Sequence, residues 1–116
     1  MIPQTITFNY GKKSIAVQSI QYMTSRYGNY TSIRVKDQKE IFSSFTLKHY
    51  VSKLADIQFF FVIRKGMMIN LHFVKNIQVQ NKQGRVRMKN GETFLVSRRR
   101  TKALLDRTVE LGIQLI

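Results

Sequence analysis

The chain lacks cysteine, has a single proline and carries only six acidic residues among its 116 positions. The absence of cysteine excludes disulfide bonds, thiolate-ligated zinc sites and cysteine nucleophiles. It also fits a reducing compartment. The longest apolar run covers only residues 59–63, far fewer than a transmembrane helix needs. We therefore expect a cytoplasmic protein that makes no use of a membrane.

Groups that carry catalysis are also scarce. The six acids are scattered singly, without a pair placed to act as general acid and general base. Neither His49 nor His72 has a second ligand at metal-binding spacing, and no glycine-rich phosphate loop is present. The sequence therefore predicts a protein that is not an enzyme, with no catalytic residue, no metal site and no cofactor.

Positive charge is what the sequence has in excess. Twenty Lys and Arg against six Asp and Glu give a formal net charge of +14. Residues 64–102 hold eleven of these cations and one acid, Glu92. Such an excess must lie mainly on the surface, where it repels itself, and a polyanionic partner is the simplest reason to tolerate it. The hydrophobic content of 43% still suffices for a folded core, in one domain spanning residues 1–116.

The spacing of apolar residues predicts a mainly β fold. Alternating patterns indicate many short strands, among them a hairpin formed by residues 5–10 and 14–17. Asn90-Gly91 predicts a second hairpin with a type I′ turn, which needs positive φ at both positions. The apolar run at residues 59–63 is typical of a strand buried on both faces.

Two helices are predicted between and after these strands. Apolar side chains at helical spacing mark residues 47–54, and Ser44 or Thr46 is placed to cap that helix. A second helix of two to three turns follows the arginines at 98–100 and ends before Gly112, a natural stop. Two separated helices do not make a helix-turn-helix.

Three basic clusters lie in loops or at the ends of elements. They are Arg26-Tyr27-Gly28-Asn29-Tyr30, Arg64-Lys65-Gly66 and Val96-Ser97-Arg98-Arg99-Arg100. Guanidinium groups, amides and aromatic rings suit phosphate oxygens and base edges, and Ser97 is placed to cap the second helix. Each cluster also has a plainer interpretation, as a solvated basic surface or, in the first, as tyrosines packed on the core. Together they favour one composite nucleic-acid-binding surface made of loops.

These segments resemble, in order and spacing, the LytTR DNA-binding domain, the output module of many bacterial response regulators. The resemblance covers about residues 14–110 and rests on Gly28-Asn29-Tyr30, the helix beginning at Leu47, the stretch from Phe60 to Asn70, Asn90-Gly91-Glu92 and Val96-Ser97-Arg98-Arg99. Two departures add charge or remove a hydroxyl. Arg64-Lys65-Gly66 stands where the family has His-Arg-Ser, and Arg100 where it has an aromatic residue.

The resemblance implies an elongated β-sandwich of small packed antiparallel sheets with a short central helix and a C-terminal helix. It implies a sequence-specific transcriptional regulator whose loops enter successive major grooves of double-stranded DNA. It also implies repeated half-sites, bound by a homodimer or by paired copies. The positions that match the family's base contacts are Tyr30, Lys65 and Arg99. The backbone or supporting contacts would come from Arg26, Asn29, Arg64, Ser97, Arg98, Arg100 and Lys102.

Two other functions remain open from the residues alone. A β-rich module for RNA or single-stranded nucleic acid would stack bases on Phe8, Tyr27 and Tyr30. A basic adaptor for partner proteins would carry its charge incidentally, and its affinity for DNA would stay nonspecific at physiological salt.

Overall fold

The computed structural model describes residues 5–8, 13–37 and 39–113. Within them, ten strands form three antiparallel sheets, joined by two α-helices and two single-turn 3₁₀ helices. The Cα atoms span 43 × 29 × 25 Å. The elements are β1 (Thr5–Phe8), β2 (Lys13–Ala16), a 3₁₀ helix (Val17–Ser19), β3 (Ile20–Arg26), β4 (Tyr30–Val35), β5 (Glu40–Ser43), α1 (Leu47–Lys53), β6 (Phe60–Arg64), β7 (Met67–Asn70), a 3₁₀ helix (Leu71–Phe73), β8 (Val74–Gln80), β9 (Gln83–Met88), β10 (Thr93–Leu95) and α2 (Arg98–Glu110). This mainly β architecture confirms the predicted fold class.

A five-stranded sheet in the order β5-β4-β3-β7-β6 forms the centre of the molecule. All four residues of β7 are buried, because it has a strand on each edge and a packed layer on each face. The sequence had placed a strand of this kind at residues 59–63. That prediction was wrong, since β6 is an edge strand in which Phe61 and Val62 are only half-buried.

One face of the central sheet packs against α1 and the β1–β2 hairpin. Met23 and Met68 on the sheet meet Leu47, Tyr50 and Leu54 in a single buried cluster. The helix begins where Thr46 Oγ1 accepts a hydrogen bond from His49 N at 3.2 Å, so Thr46 is the cap. The turn of the first hairpin, with Tyr10, lies outside the described residues.

The opposite face packs against the second sheet, of order β10-β9-β8, and against α2. Ile63 and Ile69 of the central sheet meet Val86, Val96 and Leu104 in a second buried cluster. On β9 the buried side chains alternate with exposed cations that face away from this layer. These exposed cations are Arg85 and Arg87.

Two consecutive residues have positive φ in the β8–β9 turn and in the β3–β4 turn, but not in the β9–β10 connection. Asn81 and Lys82 have φ of 53° and 66° between the paired residues Gln80 and Gln83. The predicted type I′ turn at Asn90-Gly91 was wrong. Gly91 has a positive φ of 95°, but the φ of Asn90 is not positive. Asn90 Oδ1 instead accepts from Glu92 N at 2.9 Å, which stabilises a longer connection.

Helix α2 has thirteen residues and starts at Arg98, so the arginines form its first turn and do not precede it. Its end confirms the predicted stop. Gly112 has φ of 68° and donates to Val109 O, while Ile113 N donates to Thr108 O, both at 3.0 Å. Within the described ranges, neither helix is long and apolar enough to cross a membrane.

Candidate nucleic-acid interface

The first two basic clusters meet at one end of the central sheet. Strands β3 and β7 are neighbours, so the β3–β4 turn lies beside the β6–β7 turn. Ser25 N donates to Gly66 O at 2.9 Å and joins the two turns. Gly66 has φ of 86°, which glycine adopts without strain. Arg26, Arg64 and Lys65 therefore line one cleft, of about 470 Å³.

The sequence did not predict every residue of this cleft. Thr24, Arg34 and Glu92 also line it, although they come from β3, β4 and the connection before β10. Strand pairing brings them together, and it has no local signature in the sequence. Glu92 alone carried a usable signal, as the one acid among eleven cations in residues 64–102.

The carboxylate of Glu92 is held by the protein itself. Tyr22 Oη lies 2.8 and 3.0 Å from its two oxygens, and Asn90 Nδ2 donates to Oε1 at 2.6 Å. Burial raises the pKa of Tyr22 above its usual value, and the hydrogen bond to Glu92 raises this pKa further. Tyr22 therefore stays a protonated donor at neutral pH, and this contact ties the central sheet to the β9–β10 connection.

The third basic cluster lies beside the same end of the central sheet. Ser97 N donates to Ile63 O at 2.9 Å, which places the start of α2 next to the last residues of β6. Thr101 Oγ1 accepts from Gly84 N at 3.0 Å, so the same turn of helix is also held to β9. The three basic clusters of the sequence are thus neighbours in the fold.

Ser97 occupies the N-cap position of α2, but its side chain does not cap the helix. Its hydroxyl is buried and has no partner within the described residues. The predicted capping bond is therefore absent. The first turn is closed instead on the carbonyl of Ser97, which accepts from Arg100 N at 3.0 Å and from Thr101 Oγ1 at 3.1 Å.

The three consecutive arginines have three different surroundings. Arg98 lines a polar cleft together with Gln78, Asn81 and Arg85 of the β8–β9 hairpin. Arg99 is exposed to solvent. Arg100 is half-buried, and its Nη1 donates to Val62 O at 3.5 Å. The guanidinium predicted to clamp a phosphate at position 100 is therefore engaged with the backbone of β6.

The remaining predicted residues are exposed. Asn29 lies in the β3–β4 turn, and Tyr27 and Tyr30 expose 91% and 49% of their surface. The interpretation of these tyrosines as core residues is excluded by that exposure. Lys102 lies one turn into α2, where it pairs with Asp106 at 3.2 Å across the exposed helix surface.

A comparison with known protein families decides what this domain is. The model of the LytTr DNA-binding domain matches residues 11–108. The chain belongs to the LytTR family of DNA-binding domains. The match covers all three basic clusters of this LytTR domain and confirms the resemblance seen in the sequence. No curated protein matches the chain significantly.

A solved structure shares the LytTR fold with this chain. It is the LytTr DNA-binding domain of a Bacillus cereus protein proposed to be a methyl-accepting/DNA response regulator. The two chains are 15% identical, the match covers 90% of this chain and 96% of the other, and the TM-score is 0.69. At that identity the likeness establishes the fold of this LytTR domain and leaves the roles of its individual residues to its own geometry.

Proposed function

We propose that this LytTR domain is a transcriptional regulator that binds specific sequences of double-stranded DNA through its loops. The observation that carries the proposal is the joining of three basic clusters at one end of the central sheet. Two main-chain hydrogen bonds make the joint, Ser25 N to Gly66 O and Ser97 N to Ile63 O, both 2.9 Å. Main-chain anchors matter because reading a base requires side chains held in fixed positions.

The exposed side chains support two kinds of contact. We assign Tyr30, Lys65 and Arg99 to base edges, since Lys and Arg donate to O6 and N7 of guanine in the major groove. We assign the surrounding groups to phosphates or to support of the loops, because such contacts set the position of a protein on the duplex. The exposed members of this set are Arg26, Asn29, Arg64, Arg98 and Lys102. Ser97, whose hydroxyl is buried, is assigned to support. We assign Arg100 to support, because its guanidinium donates to the carbonyl of Val62 in β6.

We also propose that the loops enter successive major grooves, which lie about 34 Å apart on one face of DNA. The domain is 43 Å long, which exceeds that separation. A few base contacts per copy specify a short sequence only. We therefore propose that two copies, as a homodimer or as paired monomers, bind repeated half-sites.

Selection from a pool of randomised duplexes tests the proposal. We expect enrichment of a repeated motif whose half-sites are spaced by about one helical turn. The double variant Lys65→Ala/Arg99→Ala should lose the enrichment while it keeps its thermal stability. Lys48→Ala, which removes an exposed cation from α1 on the other face of the central sheet, is the matched control and should enrich the same motif. A wild-type pool without any enriched sequence would contradict the proposal.

The exposure of Tyr27 and Tyr30 favours a second candidate, a module that stacks unpaired bases. The side chain of Phe8, the third ring considered for stacking, lies outside the described part of the chain. Competition between a duplex and its separated strands distinguishes the two functions. The duplex should win if the domain reads the major groove, whereas the single strands should win if the rings stack on bases.

A further inference from the structure

Tyr27 is the most solvent-exposed of the large hydrophobic side chains in the described residues, at 91%. It lies at the tip of the β3–β4 hairpin, between the paired residues Arg26 and Tyr30. Its ring gains no packing energy there, because almost all of its surface remains in water.

The backbone of Tyr27 adds a second and independent observation. Its φ is 54°, followed by 76° at Gly28. A bulky side chain at positive φ is a conformational outlier, and such strain concentrates where a residue has a function. The β8–β9 turn has a similar pair of positive φ values, 53° at Asn81, a residue that tolerates this conformation, and 66° at Lys82. Tyr27 is the one aromatic side chain at positive φ in the described residues. Tyrosine at the tip thus costs conformational energy that burial of its ring does not offset, because 91% of the side chain stays exposed.

The surroundings of Tyr27 indicate a polyanionic partner. Arg26 next to it is exposed and lines the cleft shared with Arg64 and Lys65. The adjoining Ser25 fixes the hairpin to the Gly66 turn through its main-chain N–H. The exposed ring of Tyr27 thus stands on an anchored hairpin, beside a cleft lined by three cations that suit phosphate groups.

We propose that Tyr27 is an additional specificity-determining contact, whose ring packs against the C5-methyl group of a thymine in the major groove. The inference rests on the proposed function and goes beyond the three base contacts assigned there. Thymine is the base of choice because its methyl group is the apolar feature that base pairs present in the major groove. Through this contact the hairpin tip reads an A·T pair.

Removal of single methyl groups tests the contact directly. In the duplex enriched by the wild-type chain, each thymine is replaced in turn by deoxyuridine, and the dissociation constant is measured by fluorescence anisotropy at constant salt. One replacement should weaken wild-type binding about fourfold, the equivalent of one buried methyl group. Tyr27→Ala should weaken binding to the unmodified duplex about tenfold and should no longer respond to that replacement. Tyr27→Phe should keep the response.

A third variant separates the contact from folding. Tyr27→Asn removes the ring and suits the positive φ, so its melting temperature should equal or exceed that of the wild type while its affinity for DNA falls about tenfold. The inference is wrong if Tyr27→Ala and Tyr27→Asn bind as the wild type does, or if no deoxyuridine replacement weakens wild-type binding. Failure of the wild-type chain to enrich any duplex would instead overturn the proposed function.

Discussion

The two sides of helix α2 carry the same type of residue into different environments. On one side, Arg100 and Arg107 bind main-chain oxygens, Val62 O at 3.5 Å and Gln58 O at 2.9 Å, and the Arg107 guanidinium lies 5.6 Å from the centre of the Phe61 ring. On the other side, Arg99 is exposed and free to meet a ligand. Successive residues of a helix are turned by about 100°, so neighbours in a run of arginines face different surroundings. Within the run, Arg100 therefore contacts β6, whereas Arg99 faces solvent.

The largest expected effect comes from the buried stripe that separates the two sides. Leu104 is fully buried against Val86 and Val96, so Leu104→Ala should lower the free energy of unfolding by about 2–5 kcal/mol. Because this packing anchors the whole helix, the contacts of Arg100 with β6 and the position of Arg99 should be lost together. Chemical denaturation measures the loss, with Leu95→Ala as the control, because Leu95 is 42% exposed and its truncation should be mild. A loss below about 1 kcal/mol would mean that α2 is not anchored at this residue.

Arg99→Ala should affect binding without affecting the fold. Because Arg99 is exposed and is assigned to a base edge, its loss should weaken specific binding by about 1–3 kcal/mol and relax the preference at one base position. The melting temperature should not change. Anisotropy titrations and a repeated selection measure both effects. If the selected motif stayed the same while binding weakened equally for all sequences, Arg99 would contact a phosphate and not a base.

Much of this architecture could be predicted from the chain. Alternation located the strands, because side chains along a strand take opposite faces. The clusters at Arg26, Arg64 and Arg98 could be placed at the ends of elements, because turn residues and changes of periodicity mark those ends. Gly112 could be identified as a stop, since glycine adopts the positive φ that ends a helix.

Two of the errors depend on distant partners, and a third depends on a helix boundary. The apolar run at residues 59–63 predicts a strand buried on both faces, but the place of β6 at an edge depends on which strands pair with β7. Ser97 was expected to cap α2, yet its hydroxyl is buried by the packing around it. The different environments of Arg99 and Arg100 depend on the first residue of the helix, a boundary that local patterns locate poorly.

The arginines that hold β6 should show the opposite response to Arg99. Arg100→Ala should lower the free energy of unfolding by about 1 kcal/mol, through loss of a half-buried hydrogen bond and of the packed side-chain stem. Its affinity for DNA should change less than that of Arg99→Ala. Arg100→Met keeps an apolar stem, so the difference between the two variants isolates the guanidinium. If Arg100→Ala left the stability unchanged and weakened binding tenfold, Arg100 would contact a phosphate, as the sequence predicts.

The smallest effect is expected for Lys102, on the solvent-facing surface but one turn from the start of α2. Its pair with Asp106 is exposed, so Lys102→Ala should alter stability by only about 0.3–0.5 kcal/mol. If Lys102 binds a phosphate, binding should weaken equally for all sequences, and the slope of log K against log salt should fall by about one. Asp106→Asn breaks the same pair but keeps the cation, so its slope should not fall. An equal fall in both variants would show that the pair, and not the phosphate contact, is responsible, and this side of α2 would then bind DNA through Arg99 and Arg98 alone.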